Sequence, residues 1–365
     1  MPIAVAPSAN ELCNNNAMHS AGDAYNKGSA ERQLSRVLLW TICAGTVFGT
    51  VMALFSRVWW VAELFSHYRL YYLLAQAVLA LVFLNTQRSL WLIVTLLLAI
   101  PNAWYVVPYL LPVVSGSTLQ TASAQQAPQL IAFNLNYRNR DYADLLAYVR
   151  ERGPDVLVLS EYTPDWDRVL AAQLDEYPYR AVRTRHTPFG LAVYSRVPLQ
   201  NVRWLDLGAP GSDNLQARVN LGGRDVELFA VHLYPPTSPQ RARWRRIQLA
   251  RLAELMAQVP SPRMLVGDLN LTPFSPYFKE LLGSADLMDA RERQGLQVTW
   301  PSRPLPLWLP IDHCLTDSSA GVVDVRTGPN LGSDHYPLEV SVAVIGWQQP
   351  DNRPSRTVVE MKEQS

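Results

Sequence analysis

Met264–Pro273 reads MLVGDLNLTP, an apolar run that stops on an acid and an amide one residue apart. A turn accounts for Asp268 and Asn270 taken by themselves, because both side chains bond nearby backbone. The neighbouring runs say more. LIAFN ends on Asn134, DVLVLSE ends on Glu161, and QARVNLGGRDVELFAVHL reads as two strands folded at Gly222-Gly223 and ending near His232. Asp312, Asp334 and His335 lie beside two further runs, IDHCLT and LEVSVAV, and LAVYSR is another strand candidate. Between the runs, Tyr142, Leu145, Leu146 and Val149 recur at helical spacing, and residues 239–258 make a second helix. Strands alternating with helices, with some hairpins, give a layered α/β (α+β) domain with mixed sheets. Loops at strand ends are where a rigid sheet presents functional side chains.

The chain has 365 residues, long enough for more than one unit. Its 32 basic and 31 acidic residues balance, and within 130–346 there are 23 Lys and Arg against 24 Asp and Glu. A duplex nucleic-acid binder carries a basic surplus, so nucleic acid is not favoured as a partner. Cys13, Cys43 and Cys314 are far apart and form no Cys/His cluster, which argues against a zinc site or a disulfide framework. The local basic run RARWRR (241–246) reads either as a contact for phosphates or anionic lipid, or as a solvated helix face with Trp244 packed inward. WPSRPLPLWLP (300–310) reads as a pocket wall, an interfacial loop or plain packing.

Hydropathy divides the chain. Residues 1–36 are small and polar and read as a disordered arm, 115–129 as an uncharged linker, 130–346 as the globular domain and 347–365 as a loose tail. Residues 37–114 hold three apolar runs, about 37–56, 70–87 and 90–114. A helix of about 20 apolar residues crosses a bilayer, and soluble helices normally keep a polar face, so three transmembrane helices are expected. With the N-terminus inside, Lys27, Arg32, Arg36 and Arg88 fall on the inner side, and Arg57 and Arg69 on the outer side. That bias, with an odd number of spans, sets the globular domain outside the membrane, facing the periplasm or exterior. A re-entrant third run would return it inside.

Carboxylate and amide oxygens at Asn134, Glu161, Asp268 and Asp334 suit a hard cation such as magnesium or manganese. The pieces AFNLN (132–136), DVLVLSE (155–161), YSRVPL (194–199), VHLYPP (231–236), VGDLN (266–270), IDH (311–313) and GSDHYPL (332–338) follow one another in a recognisable order. In that order they resemble the endonuclease/exonuclease/phosphatase superfamily, the deoxyribonuclease-type metal-dependent phosphodiesterases, over about residues 128–343. Membrane spans ahead of such a domain resemble a bacterial, membrane-anchored group within it.

The resemblance implies a sandwich of two mixed β-sheets flanked by helices, a Mg2+ or Mn2+ cofactor and a phosphoester substrate. It implies that Glu161 binds the metal, that Asn134 holds the metal shell or a phosphate oxygen, and that Asp334 approaches the metal. Asp268 would orient or deprotonate the attacking water, and Asn270 would donate to phosphate oxygens. His335 would touch the phosphate, with Asp312 fixing its tautomer, and His232 would be the second histidine at the leaving oxygen. His313 is incidental to this pattern. One departure stands out: RTRHTPFGLAVYSR (183–196) holds no acid where family nucleases carry one to pair with the first histidine. Three function classes are open at this point. They are an anchored phosphodiesterase or phosphatase on lipid head groups or small phosphoesters, an anchored nuclease, and a non-catalytic binding module. The complete motif set argues against the last.

Overall fold

The computed structural model describes residues 9–111, 127–292, 294–302 and 307–344. The expected linker falls among them only at residues 127–129, and the expected tail lies outside the described residues. The chain divides into two units, one holding the N-terminal helices up to Pro108 with the short segment Pro273–Phe278, the other holding the rest.

The first unit contains helices α1 (Ala9–Leu54), α2 (Trp60–Ser66) and α3 (Arg69–Asn85), and most of α4 (Ser89–Leu110). Helix α1 begins at Ala9, inside the stretch read as a disordered arm, whose residues 1–8 lie outside the described residues. No proline follows Pro7 in this stretch, so nothing in the backbone interrupts the helix. Ala30–Leu54 and Ser89–Leu110 are each long and apolar enough to cross a membrane, with a mean hydropathy of 2.0. The middle run is a bent pair, α2 and α3 meeting at 59°, so the three expected spans become two, or three where the pair counts as one. The third run, expected to reach 114, is helical to Leu110.

The charged residues near that bend are buried. Arg69 donates to the Ala53 carbonyl (3.0 Å) and to Asn102 Oδ1 (3.2 Å). Asn102 in turn donates to Thr50 Oγ1 (2.9 Å) and Gln76 Oε1 (3.1 Å). Polar groups in an apolar helix bundle turn inward and pair in this way. Arg69 is therefore a member of an internal network rather than a loop cation.

The second unit contains two six-stranded sheets. One has the order β11-β12-β1-β2-β4-β3 and the other β5-β6-β7-β8-β10-β9. The strands are β1 (Gln129–Asn134), β2 (Val156–Ser160), β3 (Tyr179–Arg183), β4 (Leu191–Ser195), β5 (Leu199–Trp204) and β6 (Leu215–Leu221). They continue with β7 (Arg224–His232), β8 (Arg263–Asp268), β9 (Met288–Asp289), β10 (Asp312–Thr316), β11 (Ala320–Thr327) and β12 (Leu338–Val344). Both sheets are mixed: β1–β2 and β7–β8 are parallel, and β1–β12 and β8–β10 are antiparallel.

Leu130, Ala132, Val156 and Val158 of the first sheet pack with Leu228, Ala230, Met264 and Val266 of the second. Their sequence neighbours Ile131, Phe133, Leu157 and Leu159 point the other way, onto Leu145, Val149 and Trp166 of α5 (Tyr142–Arg152) and α6 (Pro164–Leu170). Strands covered on both faces read as unbroken apolar runs, which is the pattern of LIAF and VLVL. Each fully buried Leu, Ile, Val or Phe contributes about 1.5–3 kcal/mol. Helix α7 (Pro239–Ala257) starts from Ser238, whose side chain accepts from the Arg241 N–H, with Pro239 in the first turn.

Register sets out the polar strand ends. His232 pairs with Asp268 across β7 and β8, and Asp312 pairs with Asp268 across β8 and β10. Asn134 pairs with Ser160, next to Glu161. Gly267 has φ +132°, and a Cβ there would lie 2.0 Å from the Val231 carbonyl oxygen, so only glycine fits before Asp268.

Candidate active site

Asn134 joins the two sheets. Its Nδ2 donates to Asp268 Oδ2 (3.0 Å) on the second sheet and to Glu161 Oε1 (3.3 Å) on its own. The Tyr137 N–H holds the other oxygen of Glu161 at 2.9 Å. Around Asp268, the Asn270 N–H donates to Oδ1 (2.7 Å), while His232 Nε2 lies 3.6 Å and His335 Nε2 3.8 Å from Oδ2. His335 Nδ1 is 2.8 Å from Asp312 Oδ2. The His335 backbone N–H donates to Ser333 Oγ, which donates onward to the Asn134 carbonyl (2.7 Å). The structure thus brings Asn134, Glu161, His232, Asp268, Asn270, Asp312 and His335 to one place. Asp334 joins through Asn136, whose Nδ2 donates to its Oδ1 at 2.7 Å.

Three residues here have left-handed backbone: Asn136 (φ 55°), Glu161 (φ 58°) and Asn270 (φ 50°). Asparagine tolerates that region, but glutamate seldom adopts it, so the packing around Glu161 holds a strained residue in place.

Burial separates the two histidines. Burial, followed by the charge of His335, pulls His232 down to about 4, so it is neutral near pH 7. Burial also opposes the charge on His335, but Asp312 overcomes it by charge and hydrogen bond, with help from Asp268 and Asp334, and raises His335 to about 10. Burial and then the Asp312 charge push Asp268 upward, and burial raises Glu161. Titratable neighbours driven apart in this way mark acid–base sites. Among the described residues, the Nδ1 of His232 is buried and has no carboxylate partner, and the Pro188 backbone is a polar neighbour of the ring. Among the described residues, then, no acid stands in for the one missing from 183–196.

Among the described residues, one group can hold a metal ion by its spacing: Asp268, Asp312 and His335, with one ligand atom from each all within 4.8 Å of one another. Two buried carboxylates this close repel each other, and a cation between them would relieve that. The donor set, mainly oxygen, fits a hard divalent ion. Glu161, Asn134 and Asp334, the residues the resemblance assigns to the metal, lie beside this trio rather than within it.

Four residues without an assigned role support the site. Arg245 is fully buried and donates to the Asn270 carbonyl. RARWRR is therefore no uniform basic face: Arg241 and Arg243 are exposed, and Arg245 turns inward. His313, read as incidental to the motif pattern, is fixed behind the site: its Nε2 meets the Leu271 carbonyl at 2.6 Å, and Arg291 donates to its Nδ1. The arginine must donate, so His313 is neutral with its proton on Nε2, in line with the lowering by burial and then by Arg291. Arg245 and His313 together hold the carbonyls of the turn that carries Asn270. Thr299 Oγ1 accepts from the Asp312 N–H (3.2 Å), and Trp300 Nε1 donates to Asp334 Oδ2 (3.2 Å).

Residues 131–335 match the model of the Endonuclease/Exonuclease/phosphatase family. The chain belongs to that family. Among curated proteins it is similar to an inositol phosphosphingolipids phospholipase C of Saccharomyces cerevisiae, 25% identical over 270 residues. The match covers 57% of this chain and 56% of that protein, so the chain spans little more than half the length of its relative. Among solved structures it is similar to D. rerio TDP2 complexed with single strand DNA product (TM-score 0.52, 18% identity, 60% of this chain and 99% of that one). A family protein from Leptotrichia buccalis is also similar (TM-score 0.50, 15% identity, 60% of this chain and 100% of that one). At these identities the structural likenesses show the fold: two mixed sheets flanked by helices.

Proposed function

We propose that this protein is a membrane-anchored, divalent-metal-dependent phosphoester hydrolase acting on lipid head groups or small phosphoesters. The observation that carries the reading is the buried trio Asp268, Asp312 and His335, with the neutral His232 beside Asp268. A bound Mg2+ or Mn2+ would supply positive charge to the phosphoryl oxygens. The chain's own residues do the rest. Asp268 orients the attacking water and takes its proton on Oδ2. A protonated His335 has no lone pair for a cation, so the carboxylates would hold the metal, and the imidazolium, kept charged by Asp312, steadies the negative charge that spreads over the phosphate oxygens. Asn270, anchored by Nδ2 on the Leu233 carbonyl (2.9 Å), supports a further donor to those oxygens. Glu161, Asn134 and Asp334 complete the oxygen-rich wall. A neutral His232 suits a hydrogen bond at the leaving oxygen better than delivery of a full proton. Water attacks opposite the leaving oxygen, one P–O bond forms as another breaks, and no covalent enzyme intermediate is required.

The choice of lipid head groups rests on the apolar N-terminal helices, the near-zero charge of the domain and the phospholipase C activity for which the yeast relative is named. The full chain in lipid nanodiscs would be assayed on phospholipids, sphingophospholipids, small phosphodiesters and DNA, with Mg2+ and with a chelator. Phosphoester cleavage that the chelator abolishes is expected, with lipid preferred over DNA. Turnover that survives the chelator would refute the metal dependence. DNA cleavage that falls steeply with salt would replace the lipid reading with the nuclease one.

The orientation belongs to the same proposal. Arg69 is internally paired, so the flanking cations become Lys27, Arg32, Arg36 and Arg88 inside against Arg57 outside. Helix α3 has 17 residues, about 25 Å at 1.5 Å per residue, and needs α2 to approach a 30 Å hydrocarbon layer. With the bent pair as one span, the catalytic domain faces the periplasm. A reporter fused after Val344 should then show alkaline-phosphatase activity. Fluorescence from a cytoplasm-only reporter at the same point would reverse the assignment.

A further inference from the structure

The segment Thr299–Ser302, TWPS, starts the run whose role the sequence leaves open. In the structure it is tied to Ser333–Tyr336 along its length. The Tyr336 N–H donates to the Thr299 carbonyl (2.8 Å), and the Ser302 N–H donates to the Asp334 carbonyl (2.8 Å). Ser302 Oγ donates to the Ser333 carbonyl, and the Tyr336 hydroxyl donates to the Ser302 carbonyl (2.7 Å). On its other side, Trp300 pairs with Leu309 in an antiparallel bridge. The indole is thus fixed by backbone on two sides before its side chain meets anything.

That side chain meets Asp334. Trp300 Nε1 donates to Oδ2 at 3.2 Å, and Asn136 Nδ2 donates to Oδ1 at 2.7 Å. One donor on each oxygen fixes the plane of the carboxylate. A carboxylate has about four lone-pair sites, so about two remain, one on each oxygen. Asp334 directly precedes His335 of the candidate metal trio, and Asn136, which holds its Oδ1, lies two residues from Asn134, the donor to Asp268 and Glu161, so the carboxylate borders the candidate metal position. Asn136 holds its amide there from a left-handed backbone (φ 55°), with its own Oδ1 occupied by the Arg138 N–H (3.0 Å).

We infer that Trp300 and Asn136 are positioning residues that clamp Asp334 from opposite oxygens and set the geometry it offers to a divalent cation. This rests on the metal-dependent reading above. Groups that orient a ligand from behind typically change metal affinity by about 10- to 100-fold when removed.

The test uses the full chain in nanodiscs with Mn2+ alone as the probe, free Mn2+ being read by electron paramagnetic resonance. Trp300→Phe keeps the ring and loses the N–H. Asn136→Gly loses the amide and keeps the backbone conformation. Each should raise the Mn2+ Kd by roughly 10- to 100-fold, leave the metal-free melting temperature close to wild type, and leave turnover at saturating Mn2+ largely restored. Asp334→Ala should lose more than either. Wild-type affinity in both clamp variants, with Asp334→Ala impaired, overturns the clamp and leaves the hydrolase reading standing. Unchanged affinity in Asp334→Ala also overturns it. Unfolding of both clamp variants assigns the segment a purely structural role. A wild-type chain that binds no Mn2+ sinks the clamp and the metal-dependent reading together.

Discussion

Asp268→Asn lowers turnover by roughly three to five powers of ten while the domain stays folded. The size of the loss follows from where Oδ2 sits. It faces Asn134 Nδ2, His232 Nε2 and His335 Nε2 at once, so it is the acceptor on which the site converges. Asparagine has the same shape but presents either a weak acceptor or a second donor toward the Asn134 amide. The fold survives because the substitution also removes a buried charge that burial and Asp312 already disfavour. Turnover and a thermal melt on the same preparation decide the matter. Activity within tenfold of wild type would remove Asp268 from the role assigned to it.

Asp312→Ala and His335→Ala should each lower kcat/KM by roughly two to four powers of ten, and the double variant should be no worse than the poorer single one. The reason is electrostatic. Asp312 is the largest of the charges that keep His335 protonated against its burial, and it fixes the ring through Nδ1. Without Asp312, burial wins, the imidazole loses its proton, and its value to an anionic transition state goes with it. Removing the histidine afterwards takes away nothing further. Rate measurements on the four proteins give the coupling directly. If the double variant shows the product of the two single losses, the pair acts independently.

The residues that were legible in the sequence share one property: their signal is local. Strands β1, β2, β7 and β8 show as apolar runs because they are buried along most of their length, and β6–β7 shows as a hairpin because Gly222 and Gly223 both have positive φ. Strand β5 leaves no such trace: its middle four residues are exposed at the sheet edge. Strand β11 is irregular, with a register shift between Val322 and Asp324. Among the helices, the bend between α2 and α3 has no proline or glycine to announce it.

The site divides in the same way. Polar residues that end apolar strands could be found one by one. Arg245, His313 and Trp300 could not, because each acts on a residue more than twenty positions away. Asn136 was closer to reach, since N-L-N at 134–136 mirrors the acid–amide spacing of D-L-N at 268–270. His313 illustrates the limit well. It follows Asp312 directly, but consecutive strand residues face opposite sides, so one serves the site and the other braces it from behind.

His232, Asp268 and Asp312 occupy paired positions on three adjacent strands, so their separations are set by a backbone ladder of about 4.8 Å per step. Such a frame is inherited whole or lost whole, because no single side-chain change can move one member relative to the next. Connecting loops are under no such obligation. Over evolutionary time the reacting frame and the choice of substrate can then descend separately, one conserved by the sheet and the other free to drift. Solved structures only 15% and 18% identical to this chain share its architecture.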